Sequence, residues 1–478
     1  MRLEGSRGNM PQQTGLMPLL GLALLVGFSH ANIFGTNNKK SDDQCFCKLN
    51  GVIDDCSCTI DTVDYFNNMK IYPRLQSLLV RDYFRFYKVN LKRECPFWSD
   101  DSKCAIRFCH VKTCQDEDIP IGLKGGLPRD LHTNESPSHK YQAKAQASDC
   151  NHKLDCDHNL ELGYLNTSIS SENYKEFERW QQYDDAQDNF CVTETDNGEY
   201  VDLLLNPERY TGYKGPSAHR IWRSIYMENC FRPENSPHNF IRSSKIDDMC
   251  LEKRVFYRVI SGLHTSINIH LCSKYLLSSQ NRLEVSPDGQ WGPNLDELQR
   301  RFSSETTDGE GPNWLKNLYF LYMLELRALA KVAPYLQREE YYTGNEVEDA
   351  DTRLAINDIL KIVRTFPEHF NESVMFNGGV KAQMLKEEFK QHFRNISRIM
   401  DCVGCEKCKL WGKLQVQGLG TALKILFSGR FDKYEETVIN FNRRQFFLDR
   451  SEIVSLINGF GRLSESIFEL ESFRKLMK

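Results

Sequence analysis

Met384-Leu-Lys-Glu-Glu-Phe389-Lys-Gln-His-Phe393-Arg-Asn-Ile396-Ser-Arg-Ile399-Met-Asp-Cys402-Val-Gly-Cys405-Glu-Lys-Cys408-Lys-Leu-Trp411-Gly-Lys-Leu414 runs one helical pattern into three cysteines and out into another. Met384, Leu385, Phe389, Phe393, Ile396 and Ile399 recur at three- and four-residue spacing, the mark of a helix with one apolar face. Leu414, Leu419, Leu423 and Leu426 carry that pattern onward, so the cysteines sit at a helix boundary. Two overlapping C-x-x-C pairs suggest metal binding in a reducing cytosol and dithiol redox chemistry in an oxidising compartment. The compartment therefore decides the reading.

The same periodicity recurs elsewhere. Phe256, Val259, Ile260, Leu263, Ile267 and Leu271 form one apolar stripe; Leu315, Leu318, Tyr319, Tyr322, Met323, Leu326 and Leu329 form another. Asp449 followed by Glu452 is a capping-box signature for a last helix holding Ile453, Leu456, Ile457, Phe460 and Leu463. Strand-like alternation is scarce, and no internal repeat stands out. The expected fold is mainly α: a single helical domain with a disulfide-stapled N-terminal segment and long loops. Residues 45–115 hold eight of the 17 cysteines, residues 116–200 are polar and acidic, and residues 200–478 read as the helical core.

The N-terminus points to export. Arg2 and Arg7 precede the apolar run Leu16–Phe28, and Ser29-His30-Ala31 offers small residues for cleavage, so 1–31 reads as a signal peptide and 32–478 as the domain. The apolar run is too short to cross a bilayer comfortably, and no later stretch is longer. Four N-x-S/T acceptors, at Asn134, Asn166, Asn371 and Asn395, agree with export. The final Arg474-Lys-Leu-Met-Lys478 carries no KDEL-type address. A net charge of −4 is nearly balanced, which argues against nucleic acid as the main partner. A mature chain of about 450 residues buries a large core without staples. Its 17 cysteines exceed that need, and their odd number leaves at least one free thiol or an exchanging set.

The cysteines fall into sets. Cys45-x-Cys47 and Cys56-x-Cys58 are palindromic, as suits a hairpin with Cys45–Cys58 and Cys47–Cys56 paired; a zinc ribbon competes, but C-x-C serves tetrahedral thiolates less well than C-x2-C. Cys104, Cys109 and Cys114 recur every five residues beside Lys103, Arg107 and His110, whose charge favours thiolates. A static staple and a set of attacking thiols fit that spacing equally. In the triplet a zinc or iron–sulfur site would need a fourth ligand, and Lys409-Leu-Trp411 follows instead of Cys-Pro. A redox disulfide Cys405–Cys408, with Cys402 tied elsewhere, is favoured. The competing functions are a metal or iron–sulfur Cys-rich protein without oxidase activity, and a non-catalytic disulfide-rich binding protein.

A dithiol needs an electron acceptor. Gly418-Leu-Gly420 lies in a helical pattern and lacks the third glycine of a Rossmann turn, so a cofactor would lie among helices. Candidate flavin ligands are Arg209, Thr211 and Trp222, in and beyond Asn206-Pro-Glu-Arg-Tyr-Thr-Gly-Tyr-Lys-Gly-Pro216, with Ser261 and His264. Ser261, His264 and Asn268 share a narrow polar strip beside the apolar face, as pocket-lining groups do. A satisfied core histidine fits the same spacing.

Together these residues resemble the endoplasmic reticulum oxidoreductin-1 family of flavin-dependent thiol oxidases. The resemblance runs from about Cys45 to the C-terminus. It is carried by Cys95-Pro-Phe-Trp98, Asn206–Pro216, Ile260-Ser-Gly-Leu-His264, Gly309-Glu-Gly-Pro312, Lys316-Asn-Leu-Tyr319 and Asn395–Cys405, in matching order. It implies a helical FAD-binding core and a monomer in the endoplasmic reticulum lumen, with at most peripheral membrane association. It implies that a shuttle pair, Cys104 and Cys109, takes electrons from protein disulfide isomerase and related thioredoxin-like proteins. The inner pair, Cys405 and Cys408, would pass them to FAD, with Cys405 attacked by the shuttle and Cys408 nearest the flavin. Dioxygen would accept them, giving hydrogen peroxide.

The implied flavin ligands are Arg209, Thr211, Trp222, Ser261, His264 and Arg301, and no metal is implied. The implied structural pairs are Cys45–Cys58, Cys47–Cys56, Cys95–Cys402 and Cys230–Cys250. An inhibited form would pair Cys104–Cys156 and Cys109–Cys114. Three features depart from the family pattern. Trp314 stands where relatives can present an arginine to the flavin, Cys150 and Cys272 are additional, and Cys191 is expected to be unpaired.

Overall fold

A computed structural model describes residues 60–98, 108–124, 190–191, 197–228, 251–277, 290–367, 370, 372, 375–376, 380–427 and 446–477. The signal peptide, the hairpin cysteines Cys45, Cys47, Cys56 and Cys58, and Cys104, Cys150, Cys156, Cys230 and Cys250 lie outside the described residues. So do Asn134, Asn166 and Asn371.

Helices dominate. The first part of the chain forms α1 (Ile60–Phe66), α2 (Tyr72–Leu79), α3 (Asp82–Arg85) and α4 (Ile121–Lys124). Then come α5 (Pro216–Met227), α6 (Leu251–Ser273), α7 (Leu295–Phe302), α8 (Gly311–Leu336), α9 (Glu346–Val363) and α10 (Val380–Ile399). The chain closes with α11 (Glu406–Phe427) and α12 (Arg450–Leu476).

Four of these helices make the centre: α6 packs on α8, α11 on α12, and both pairs on each other. The stripes predict helices with one buried face, but α8 is buried all round from Asn317 to Leu326, and α11 from Lys413 to Phe427. A helix buried on every side belongs at the middle of a core, with other helices wrapped around it. Each fully buried Leu or Phe there contributes about 1.5–3 kcal/mol. Close approach depends on two glycines. A methyl at Gly262 of α6 would strike the Asn317 carbonyl of α8, and one at Gly418 of α11 would strike the Ser455 carbonyl of α12. The last helix starts as its sequence signature predicts. Glu452 N–H donates to Asp449 Oδ1 at 2.8 Å, while Asp449 N–H donates to Glu452 Oε2 at 2.9 Å.

The sequence shows few strands, and the structure has two short antiparallel ribbons among the described residues. β1 (Phe86–Val89) pairs with β2 (Glu199–Asp202), with Phe86 opposite Asp202; β3 (Tyr275–Leu277) pairs with β4 (Gln290–Gly292). Strands of three or four residues are too short to display an alternation.

The disulfide Cys95–Cys402 ties the N-terminal part to the turn between α10 and α11, closing a separation of 307 residues. Chain-entropy bookkeeping for so long a loop gives about 6 kcal/mol of stabilisation. Beside it, Asp401 is buried with Lys413 Nζ at 2.5 Å and Arg398 at 3.2 Å. One carboxylate between two cations holds the Met400–Cys402 turn against the first turns of α11.

One expected glycan acceptor is closed. Asn395 is buried in α10, and its amide donates to Glu228 Oε2 at 3.0 Å; the same carboxylate oxygen lies 2.8 Å from His392 Nδ1. A glycan on that amide nitrogen has no room and would break a buried hydrogen bond. Glycopeptide mapping of protein expressed with its signal sequence in eukaryotic cells is expected to find Asn395 unmodified in folded material. A glycan there in native protein would contradict this packing.

Candidate active site

The cysteine triplet opens α11. Cys405 immediately precedes Glu406, and its carbonyl accepts the Lys409 N–H at 2.7 Å, which starts the helical ladder. Cys408 follows three residues later, and positions i and i+3 share a helix face. One hydroxyl serves both sulfurs: Thr211 Oγ1 stands 3.4 Å from Cys408 Sγ and 3.6 Å from Cys405 Sγ. Burial pushes the Cys408 thiol up to about 11; the Thr211 hydrogen bond opposes that rise and the Glu208 carboxylate adds to it. Glu208 is itself buried, 2.8 Å from Arg462 Nε.

Cys405 is joined to Cys109, with Cα atoms 5.0 Å apart, and Cys408 carries a free thiol. Backbone chemistry brings residue 109 there. The first N–H groups of a helix have no partner within it. Here the Lys407 N–H donates to the Cys109 carbonyl at 2.9 Å. Glu406 Oε2 accepts the Val111 N–H at 2.9 Å and lies 3.0 Å from His110 Nδ1. Asn206 and Lys112 exchange two hydrogen bonds, N–H to Oδ1 and Nδ2–H to the carbonyl, both 2.8 Å. Thr113 then bridges Val201, and the Cys114 N–H donates to the Tyr200 carbonyl at 2.8 Å. The segment 109–114 thus lies between the first turn of α11 and the edge of β2.

Two expected pairings differ here. Cys405 is bonded to Cys109 rather than to Cys408, and Cys109 is bonded to Cys405 rather than to Cys114. The reason is positional. The Lys407 contact sets Cys109 over Cys405, whereas the β2 edge holds Cys114 apart. Burial, with Asp202 and Asp118 beside it, pushes the Cys114 thiol up to about 11, so it is a poor attacking group. Cys405–Cys408 and Cys109–Cys405 both need the same Cys405 sulfur, so the two bonds exclude one another. In the triplet, Cys402 and Cys405 are both in disulfides. That leaves one thiol, too few for a zinc or iron–sulfur cluster. Among the described residues no group of three or more His, Cys, Asp or Glu is placed to hold a metal.

The polar strip of α6 is buried as its spacing predicts, and it contacts Trp222 and Arg301 among the other candidate flavin ligands. Trp222 of α5 stacks on His264, ring centroids 3.5 Å apart, and the Tyr226 hydroxyl lies 2.9 Å from His264 Nδ1. Ser261 Oγ accepts from Asn317 Nδ2 at 3.0 Å. One turn along, the Asn268 side-chain Oδ1 accepts from Arg301, which also holds Glu297 at 2.7 Å. Burial, then the Arg301 charge, drives His264 well below the usual imidazole range, so it stays neutral. Six residues beyond His264, about 9 Å along the helix, His270 Nε2 lies 2.9 Å from the Glu208 carbonyl. There α6 meets the loop that carries Arg209 and Thr211.

Arg209 lies over the Trp291 indole, 5.3 Å from its centroid, and Phe108 meets that indole edge-on at 5.1 Å. Flat aromatic faces, a neutral imidazole, two guanidinium groups and a hydroxyl beside a thiol suit a planar redox ring joined to a pyrophosphate. The residues fit a flavin nucleotide. Trp314 is buried in the first turn of α8; Cys191 and Cys272 are buried too, and Cys191 Sγ donates to the Val416 carbonyl at 3.3 Å. Asn206 heads Asn206–Pro216 and Asn317 lies within Lys316-Asn-Leu-Tyr319, both stretches that carry the resemblance, whereas Tyr226, Trp291 and Glu406 sit at helical or loop positions with no spacing signal of a site role.

A helical scaffold that joins a Cys-x-x-Cys to an incoming cysteine, beside a flavin-compatible strip, defines a thiol–disulfide oxidoreductase. The chain belongs to the endoplasmic reticulum oxidoreductin 1 family: the family model described as Endoplasmic Reticulum Oxidoreductin 1 (ERO1) matches residues 70–470. It is 55% identical to an Ero1-like protein of Drosophila melanogaster, over 92% of each chain. It is 47% identical to human ERO1-like protein alpha, over 97% of this chain and 98% of that one. A crystal structure of a mutant Ero1p superposes with a TM-score of 0.53 at 28% identity, covering 88% of this chain and 99% of that one. Another Ero1p structure, titled as the source of disulfide bonds for oxidative protein folding in the cell, gives 0.54 at 25%, covering 87% and 98%. The chain is accordingly a thiol oxidase of oxidative protein folding in the endoplasmic reticulum, and a flavoprotein by family. No helix among the described residues is long and apolar enough to cross a membrane.

Proposed function

We propose that the chain is an FAD-dependent oxidase of the endoplasmic reticulum lumen, a monomer that reoxidises protein disulfide isomerase and related thioredoxin-like proteins with dioxygen. A signal peptide at 1–31 would direct it there. The bond between Cys109 and Cys405, with the Cys408 thiol beside it, carries this reading. It has the form expected midway through transfer from a shuttle pair to an inner pair.

In that sequence the dithiol of the partner reduces a Cys104–Cys109 disulfide, delivering two electrons and two protons. The Cys109 thiolate attacks Cys405 Sγ, the Cys405–Cys408 bond breaks, and Cys408 leaves as a thiolate. Thr211 Oγ1, 3.4 Å from Cys408 Sγ, donates a hydrogen bond to that developing charge. Negative charge in the first turn of α11, where Cys408 lies, is favoured as well. Cys104 then attacks Cys109, which frees Cys405 and restores the shuttle disulfide, leaving the inner pair as a dithiol. FAD, when bound, supplies the two-electron acceptor that returns the inner pair to its disulfide and hands those electrons to dioxygen, releasing hydrogen peroxide. Trp222 and His264 offer stacking faces, Arg209 and Arg301 offer cations, and Ser261 and Thr211 offer hydroxyls.

Cys104→Ala tests the division of labour. Oxidation of reduced protein disulfide isomerase is expected to be lost, while oxidation of a small, strongly reducing dithiol that reaches the inner pair directly persists in part. Oxygen uptake with each substrate is the measurement. Equal loss of both would contradict separate shuttle and inner pairs.

A further inference from the structure

Asn206 lies at a crossing of three segments and is fully buried, with every polar group engaged. Its side-chain oxygen accepts the Lys112 N–H at 2.8 Å. Its amide nitrogen donates to the Lys112 carbonyl at 2.8 Å and to the Asp202 carbonyl at 3.0 Å. Its own backbone N–H also donates to Asp202 O, at 3.1 Å. Its backbone carbonyl accepts the indole N–H of Trp411 at 2.8 Å, and Trp411 stands on α11 three residues after Cys408. One asparagine therefore joins the end of β2, the segment three residues beyond Cys109, and the helix that carries the inner pair.

From this geometry we infer that Asn206 is a positioning residue for electron delivery. It registers the segment 109–112 on the first turn of α11, so that Cys109 Sγ meets Cys405 Sγ. The inference rests on the relay proposed above, and it concerns only how the first exchange is aligned. Two features make the amide specific. The paired bonds to Lys112 need a donor and an acceptor side by side, which only an amide supplies at this length. They also go to backbone groups, so the clamp works whatever side chains the segment carries. Glu406 acts from the opposite side by accepting the Val111 N–H at 2.9 Å. Asn206→Asp keeps the size but turns the donor into a second acceptor, facing the carbonyls of Lys112 and Asp202. Loss of a buried neutral hydrogen bond with its partner left unpaired corresponds to about a tenfold change in the docking equilibrium.

The test is a glutathione titration of the full-length, flavin-loaded chain carrying Cys104→Ala and Cys408→Ala, in which Cys109 and Cys405 can pair only with each other within the relay. Peptide mapping under non-reducing conditions reads the fraction of Cys109–Cys405, which gives the effective concentration of one thiol at the other. Adding Asn206→Asp is expected to lower that concentration about tenfold, while flavin content and Cys95–Cys402 stay as in the parent. With all cysteines present, Asn206→Asp is expected to slow oxidation of reduced protein disulfide isomerase and leave oxidation of a small dithiol within about twofold. An unchanged effective concentration overturns the inference, as does equal loss of both activities together with flavin.

If Asn206→Asp does not fold, Glu406→Ala decides. It removes the Val111 anchor at a partly exposed side chain and is expected to lower the effective concentration about threefold; no change there is equally fatal. Failure of the proposed relay itself would show differently: the chain with all its cysteines would oxidise neither substrate, whatever the titration gave.

Discussion

Cys408→Ala is expected to bring turnover to below about one part in a thousand with protein and small dithiol substrates alike. Cys405 has one sulfur to share, and without Cys408 it cannot form the disulfide that incoming electrons must reduce. Thr211 is the candidate flavin ligand that contacts Cys408, at 3.4 Å, and the variant keeps its hydroxyl, so flavin content is expected to stay at the parent level. What accumulates on mild oxidation is Cys109 joined to Cys405. Oxygen uptake with a small dithiol measures the loss, and non-reducing peptide maps identify the trapped bond. Substantial oxygen uptake by this variant would remove Cys408 from the relay. The contrast with Cys104→Ala is diagnostic, because that change spares the small dithiol and this one does not.

The second large effect concerns stability. Cys95→Ser combined with Cys402→Ser releases a loop of 307 residues. The expected loss of about 6 kcal/mol is comparable with the whole stability of many domains, about 5–15 kcal/mol. Equilibrium unfolding in urea is expected to show the midpoint falling steeply, with the double variant partly unfolded before denaturant is added. A midpoint equal to the parent's would mean that the helical core alone fixes the N-terminal part. The buried surroundings favour the larger effect, since Cys402 is fully enclosed beside the Asp401, Lys413 and Arg398 charges. A hydroxyl there must also find a hydrogen-bond partner.

The helices were legible because their apolar residues recur at three and four positions, and the capping box of Asp449 and Glu452 marks a start that depends only on neighbours. The polar strip of Ser261, His264 and Asn268 was legible for the same reason: periodicity sets which residues share a face. Long-range pairings were not. β1 meets β2 across more than a hundred residues, with strands too short to signal themselves. Cys109 reaches Cys405 across 296 residues through bonds from the Lys407 N–H and the Asn206 amide. Backbone groups are the same in every residue, so a site assembled from them leaves little trace in the side-chain pattern. The buried Asp401 and Lys413 mislead in the opposite direction, since each alone reads as surface. Asn395 likewise shows a glycan motif whose burial only the packing of α10 against Glu228 reveals.

Cys95 is pinned at Cys402, three positions from the sulfur that Cys109 engages, so the proposed shuttle is fastened beside its own destination. Nine residues span no more than about 30 Å whatever their conformation, so Cys104 lies within that distance of Cys95. Thiols confined so closely meet at a local concentration on the order of millimolar. In the proposed relay each round then requires two bimolecular meetings, with the visiting oxidoreductase and with dioxygen, and the sulfur handovers between them happen within the chain.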